Sequence, residues 1–220
     1  MNELVRAWID GWVISRGAAA PHEEPWGWTI DSGQMKEVTR HVLGTLGDDV
    51  EETVVREVAD SVTGEGVWLK VFRDPAEVTG WLRGSWWTDP ETGYLMSLPL
   101  TSTPAPDAPS GHRLTSWTRA GVTRVMLTAW DGSLAARGQI AVTGPTAVAD
   151  QIETAPHHRR RGLGSVVMRT LHHAAARQGA HTAVLAGTPA GRALYESLGW
   201  RVEAPLTSAR YLGREPGSPT

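Results

Sequence analysis

Cysteine is absent from the 220 residues. That excludes a disulfide framework, a thiolate zinc site and a cysteine nucleophile. Phenylalanine occurs once and tyrosine three times, while tryptophan occurs 11 times. The tryptophans concentrate before residue 100 and read first as large core residues. No stretch approaches 18 uninterrupted apolar residues, and the start of the chain carries no basic segment followed by an apolar run, so neither a membrane span nor a leader is expected. A surplus of positive charge is missing as well. The net charge of -3 argues against general nucleic-acid binding, because affinity for a phosphate backbone needs a basic face. With 40% hydrophobic and 20% charged residues the chain is globular in composition, and the expectation is a soluble, cytoplasmic protein.

The pattern of apolar residues is that of an α/β chain. Val5, Trp8, Ile9, Trp12 and Val13 recur at helical spacing over 3–14, with Asn2 as a cap. Strands are expected at 26–30 and 36–43 about an Asp31-Ser32-Gly33 turn, the second alternating Val38, Arg40 and Val42 with Glu37, Thr39 and His41. A helix over 48–62, capped by Asp48 or Asp49, precedes a strand at 67–72. Asp74-Pro75-Ala76-Glu77 then opens another helix, with N-cap, N1 proline and an acid in the first turn. A strand at 94–100 ends the first part. Pro104, Pro106 and Pro109 mark 101–111 as a linker. The expected domains are therefore 1–100, a linker at 101–111, 112–213, and a loose tail at 214–220.

After the linker, strands at 113–119, 122–130, 134–142 and 147–154 form an antiparallel meander joined by Ala120-Gly121, Asp131-Gly132 and Gly144-Pro145. A helix at 162–178, a strand at 181–186, a helix at 189–198 and last strands at 201–203 and 208–212 follow. At an offset of 114 residues Pro75 matches Pro189, Trp81 matches Tyr195 and Trp86 matches Trp200, so the first half is a candidate degenerate copy of the second.

The turn Arg159-Arg160-Arg161-Gly162-Leu163-Gly164 carries the most specific chemistry. A helix starting there leaves N–H groups without intrahelical partners, and arginines beside them supply forked donors for phosphate oxygens. Downstream comes Thr188-Pro189-Ala190-Gly191-Arg192-Ala193-Leu194-Tyr195-Glu196-Ser197-Leu198-Gly199-Trp200. On these two stretches, 114–211 resembles the GCN5-related N-acetyltransferase (GNAT) family.

The resemblance implies a mixed, mostly antiparallel sheet flanked by helices, and transfer of an acyl group from acetyl-coenzyme A to an amine by direct attack. It implies a cofactor site in which the strand backbone at Ile152, Glu153 and Thr154 meets pantetheine. Arg159, Arg160, Arg161, Gly162, Leu163, Gly164 and Ser165 would hold the pyrophosphate, with Thr188 and Tyr195 completing the site. Tyr195 is the expected acid for the leaving thiolate. Thr188 stands where an asparagine is usual and Gly191 where an alanine is usual.

For the base, Glu153 is preferred to Asp150, since alternation along a strand puts the two on opposite faces. Adjacent histidines at 157–158 and 172–173 diverge and lack a third ligand, so no metal is expected. Trp26, Trp28, Trp86 and Trp87 are expected in the core rather than in an acceptor pocket. The expected partner is a small-molecule or peptide amine, with no nucleic acid and no membrane, and a homodimer is left open. The competing reading is a non-catalytic acyl-coenzyme A binding or sensing protein.

Overall fold

The computed structural model describes residues 3–44 and 50–213. Asn2, the 45–49 segment with its acidic cap residues, and the 214–220 tail lie outside the described residues. The chain begins with α1 (Glu3–Arg16), β1 (His22–Glu24), β2 (Gly27–Gln34), β3 (Glu37–Leu43), α2 (Glu52–Ser61), β4 (Val67–Val71), α3 (Pro75–Trp81), β5 (Trp86–Thr88) and β6 (Gly93–Pro99). The meander is β7 (His112–Arg119), β8 (Val122–Ala129), β9 (Leu134–Thr143) and β10 (Thr146–Thr154). A short 3-10 turn, Pro156–His158, leads to α4 (Leu163–Arg177), β11 (Thr182–Gly187), α5 (Pro189–Ser197) and β12 (Arg201–Tyr211).

One sheet holds all these strands in the order β1-β2-β3-β4-β12-β6-β11-β10-β9-β8-β7, with β5 on β12. The fold is mixed α/β with a mostly antiparallel sheet flanked by helices, as the family resemblance implies. Two of its pairs are parallel, β3 with β4 and β10 with β11. Each is followed by a strand from the other half of the chain. β6 lies beside β11, and the end of β12 lies beside β4.

Local signals act as the sequence suggests in several places. Asp74 caps α3 by accepting from the Ala76 N–H at 2.9 Å, and Pro75 takes the first helical position. The meander turns carry positive φ at Ala120, Gly121, Gly132 and Gly144. Elsewhere the structure departs from the pattern. β2 runs through the expected Asp31-Ser32-Gly33 turn to Gln34, with its irregularity between Asp31 and Gln34. The two last strands are one, because a register shift between Val202 and Ala204 lets the ladder pass the break and seats Pro205 opposite Tyr94.

Helix α4 covers one face of the sheet, where Leu163, Val167, Met168 and Leu171 join Val125, Ile140 and Leu185 in a core. Helix α1 covers the other face with Val5, Trp8, Ile9 and Trp12. It touches both β2 and β9–β11. Those strands are seven ladder steps apart, on the order of 33 Å if the sheet were flat, against roughly 21 Å for a 14-residue helix. The sheet therefore curls around α1. This brings side chains of β3 and β4 toward the ends of β10 and β11.

Candidate active site

The parallel ladder between β10 and β11 stops at Val148 and Val184, although the strands continue to Thr154 and Gly187. Beyond that point they part, and the edge of β10 toward β11 is open. The cleft that results has a volume of about 680 Å³. Its walls are Ile152, Glu153 and Thr154 of β10, Arg159, Arg160, Gly162, Leu163, Gly164 and Ser165 of the turn and α4, and Thr188 and Tyr195. Eleven of the twelve residues expected at a cofactor site are thus brought together; Arg161 is the one outside the lining.

The two glycines of the turn serve different ends. Gly162 adopts φ +75 as the residue preceding α4, a left-handed conformation that a side chain would strain. A Cβ on Gly164 would meet Leu194 at 2.9 Å, so this glycine allows α4 to approach α5. Arg159 donates through Nε to the Thr154 carbonyl at 3.2 Å, which ties the turn to the end of β10. With Arg160 beside it, the N-terminus of α4 is a cationic cradle suited to phosphate oxygens.

Tyr195 packs its ring between α5 and the end of β11. A Cβ on Gly187 would meet that ring at 2.9 Å and one on Gly191 at 2.8 Å. Glycine at 191 is therefore what admits the tyrosine. Burial, with a contribution from the charge of Asp150, pushes the phenol up to about 12, so it stays protonated over any working pH. Thr188 caps α5, its Oγ1 accepting from the Gly191 N–H at 3.3 Å. Its hydroxyl hydrogen is left for another acceptor.

The alternation argument for the carboxylates is corrected by a bulge. Asp150 faces Gln139 and Glu153 faces Arg137, with the register shift between them and Gln151 at φ 54. Gln139 and Arg137 share one face of β9, so Asp150 and Glu153 stand on the same face and not on opposite ones. Their surroundings differ. Asp150, with 12% of its side chain exposed, accepts from Nε of Arg16, from Nη2 of Arg16 at 2.8 Å and from Ser15 Oγ at 2.8 Å. Glu153 is 57% exposed and pairs with Arg137 at 2.9 Å.

A second cavity, of about 210 Å³, opens on the α1 side of the gap. It is walled by Trp8, Trp12 and Arg16 of α1, Arg40 of β3, Lys70 of β4, the carboxylates Asp89, Glu91 and Asp150, and Gly187. Thr188 lines both cavities, so they meet where β10 and β11 part. Sequence reading missed this chamber. The signal was Arg40, a charged residue in the apolar phase of its strand. Of the four tryptophans expected in the core, Trp28 and Trp86 are buried there, Trp26 is partly buried and Trp87 is exposed. Among the described residues no group of three or more metal-ligating side chains is found, and no helix is long and apolar enough to cross a membrane.

The sheet is mixed and curled, and its parallel pair β10–β11 splays over the glycine turn that opens α4. The profile of the Acetyltransferase (GNAT) family matches residues 44–200, and the chain belongs to that family. The match reaches well upstream of Leu114, into the first half. Among solved structures, a GCN5-related N-acetyltransferase from Kribbella flavida is similar with TM-score 0.65 and 16% identity, over 97% of each chain. A tandem GNAT protein from the clavulanic acid biosynthesis pathway, solved without acetyl-coenzyme A, gives TM-score 0.52 and 14% identity over 73% of this chain and 68% of its own. A GCN5-related N-acetyltransferase from Sphaerobacter thermophilus gives 0.52 and 11% over 68% and 61%. At these identities the likeness is one of fold. Comparison with curated proteins found no match.

Proposed function

We propose that the protein transfers an acyl group from acyl-coenzyme A to an amine by direct attack of that amine. The observation that carries this reading is the open edge of β10 running into the arginine and glycine turn, with Tyr195 at the floor of the same cleft. Coenzyme A bound there would supply an activated acyl thioester. The β10 backbone from Ile152 to Thr154 would pair with the amides of the pantetheine arm. N–H groups at the start of α4, with Arg159 and Arg160, would hold the diphosphate.

Tyr195 would donate a hydrogen bond to the sulfur as it leaves. A phenol at about 12 is a weaker acid than a thiol at about 8.5, so it holds the thiolate charge without surrendering its proton for long. Glu153 would take the amine proton through water. Its pairing with Arg137 is solvent exposed, and such pairs bind weakly enough to leave the carboxylate usable. We further read residues 1–100 as a degenerate copy of the acetyltransferase half, because the order β3, β4, β12 repeats β10, β11, β6.

Calorimetry with acetyl-coenzyme A, followed by thiol release against an amine library, tests the proposal. Binding at one site per chain with amine-dependent thiol release is expected. Binding without release from any amine would favour the sensing alternative, and absence of binding would remove both.

A further inference from the structure

We propose that the chamber beneath α1 selects an acceptor carrying a carboxylate as well as the amine, a small amino acid rather than a polyamine, a bulky antibiotic or a protein terminus. This rests on the acyltransferase reading above, since it assigns the acceptor side of the same gap. Three cationic side chains converge there, facing three carboxylates of the same lining, Asp89, Glu91 and Asp150. Arg16 is paired with Asp150, and Arg40 with Glu37 at 2.6 Å. The third, Lys70, has Ser208 Oγ at 2.9 Å as its one side-chain hydrogen-bond partner among the described residues.

Arg40 is the stronger sign of a built site. Its side chain is 8% exposed, with Cζ over the Trp12 ring 3.7 Å from its centroid and 5.7 Å from that of Trp8. Glu37 engages its Nε and is its one hydrogen-bond partner among the described residues, so the two Nη groups are available to a ligand. A guanidinium held rigid on an aromatic face loses little freedom when a planar carboxylate binds it. The chamber's volume of about 210 Å³ is below the roughly 300 to 1,000 Å³ of sites for drug-sized ligands. That sets the size of the guest. Its other wall, Gly187 and Thr188, is where the cofactor cleft begins, so an amine directed that way reaches the proposed thioester position.

Burial, followed by the charge of Arg40 and Arg16, brings Lys70 down to about 7 against the opposing pull of Glu37 and Asp89. An anion seated beside it restores its charge. Carboxylate binding at pH 8 therefore draws in a proton.

The test uses the full chain, the twenty standard amino acids and their carboxamides, with phosphoethanolamine and ethanolamine as a second matched pair. Thiol release should favour the best amino acid over its own amide by about 10- to 100-fold in kcat/KM, the scale of one or two hydrogen bonds to charge. Calorimetry of the same amino acid in buffers of different ionisation enthalpy should show proton uptake at pH 8. Lys70→Met should bring the acid-to-amide ratio close to one and abolish the uptake, with coenzyme A affinity unchanged. Lys70 is preferred over Arg40 for substitution because removing Arg40 leaves the half-buried Glu37 without its partner. Equal use of acids and amides, a preference for phosphoethanolamine, no binding by any acid, or a Lys70→Met loss shared equally by acids and amides would overturn the inference. Calorimetry with coenzyme A separates the two levels: a chain that binds it without acid preference loses only this inference, and one that does not bind it loses the acyltransferase reading too.

Discussion

The two parallel pairs of this sheet sit between equivalent antiparallel neighbours, β2 and β12 for one and β9 and β6 for the other, and only one of them opens. β3 and β4 remain paired to their final residues, Leu43 with Val71. β10 and β11 release each other after Val148 and Val184, and six further residues of β10 run on beside a gap. The chemistry at the following helix differs in the same sense. Arginines 159 and 160 line the cleft at α4, whereas the cavity at the start of α2, of about 350 Å³, is lined by Glu23, Glu24 and Glu51. Acids suit the positive end of a helix, and they repel a diphosphate. A shared topology therefore yields an open, positively charged cleft only where the ladder fails.

The largest expected effect in testing that contrast is at Tyr195, which the 114-residue offset sets against Trp81. Tyr195→Phe should lower turnover by about 10² to 10⁴-fold in a thiol-release assay, with acetyl-coenzyme A affinity unchanged by calorimetry. Because the phenol titrates at about 12, any alkaline limb of the wild-type rate below pH 10 should survive in Tyr195→Phe. Wild-type turnover in the variant would make Tyr195 a core residue like its counterpart.

Next in size is the charge of the turn. Arg160→Glu should weaken coenzyme A binding by about 10- to 100-fold, and the loss should shrink as salt rises. It is a cleaner probe than a bulky replacement of Gly164, which would first collide with Leu194. The converse change, Glu51→Arg, should leave calorimetric stoichiometry at one, since β3 and β4 offer no open edge. Two molecules per chain would break the comparison.

A smaller effect distinguishes the two cores by pH. Burial, with help from the charge of Arg169, holds His172 of α4 down at about 4. The unfolded chain takes up the proton near 6.5, so stability is full above that value and is lost as pH falls toward 4, on the order of 3 kcal/mol. α2 contains no histidine. Hydrogen exchange at pH 5 should show α4 opening before α2, and His172→Leu should flatten the acid limb of a thermal melt.

What could be read from the sequence was local. The meander was legible because each turn carries a residue suited to positive φ between alternating strands. The cofactor cleft was legible because one turn and one strand end supply most of it. Features set by distant pairing were not. β1 and β5 are three residues each, too short for a periodic signal. The bulge at Gln151 leaves no trace in the alternation, so the facing of Glu153 relative to Asp150 was misread. The chamber under α1 draws on Trp12, Arg40, Lys70 and Asp150, and no spacing rule joins those positions. It forms only when the sheet bends.

The interleaving of β6 and β12 bears on how this protein could be taken apart. A chain cut within 101–111 leaves one piece carrying β6 without its neighbours β11 and β12, and the other carrying β12 without β4. Each fragment would expose a long unsatisfied strand edge that the other alone is shaped to cover. Expressed separately they should aggregate; mixed during refolding they should recover a nicked molecule with the intact sheet. The pair is thus a natural starting point for a split reporter whose reassembly is read by the closing of the shared sheet.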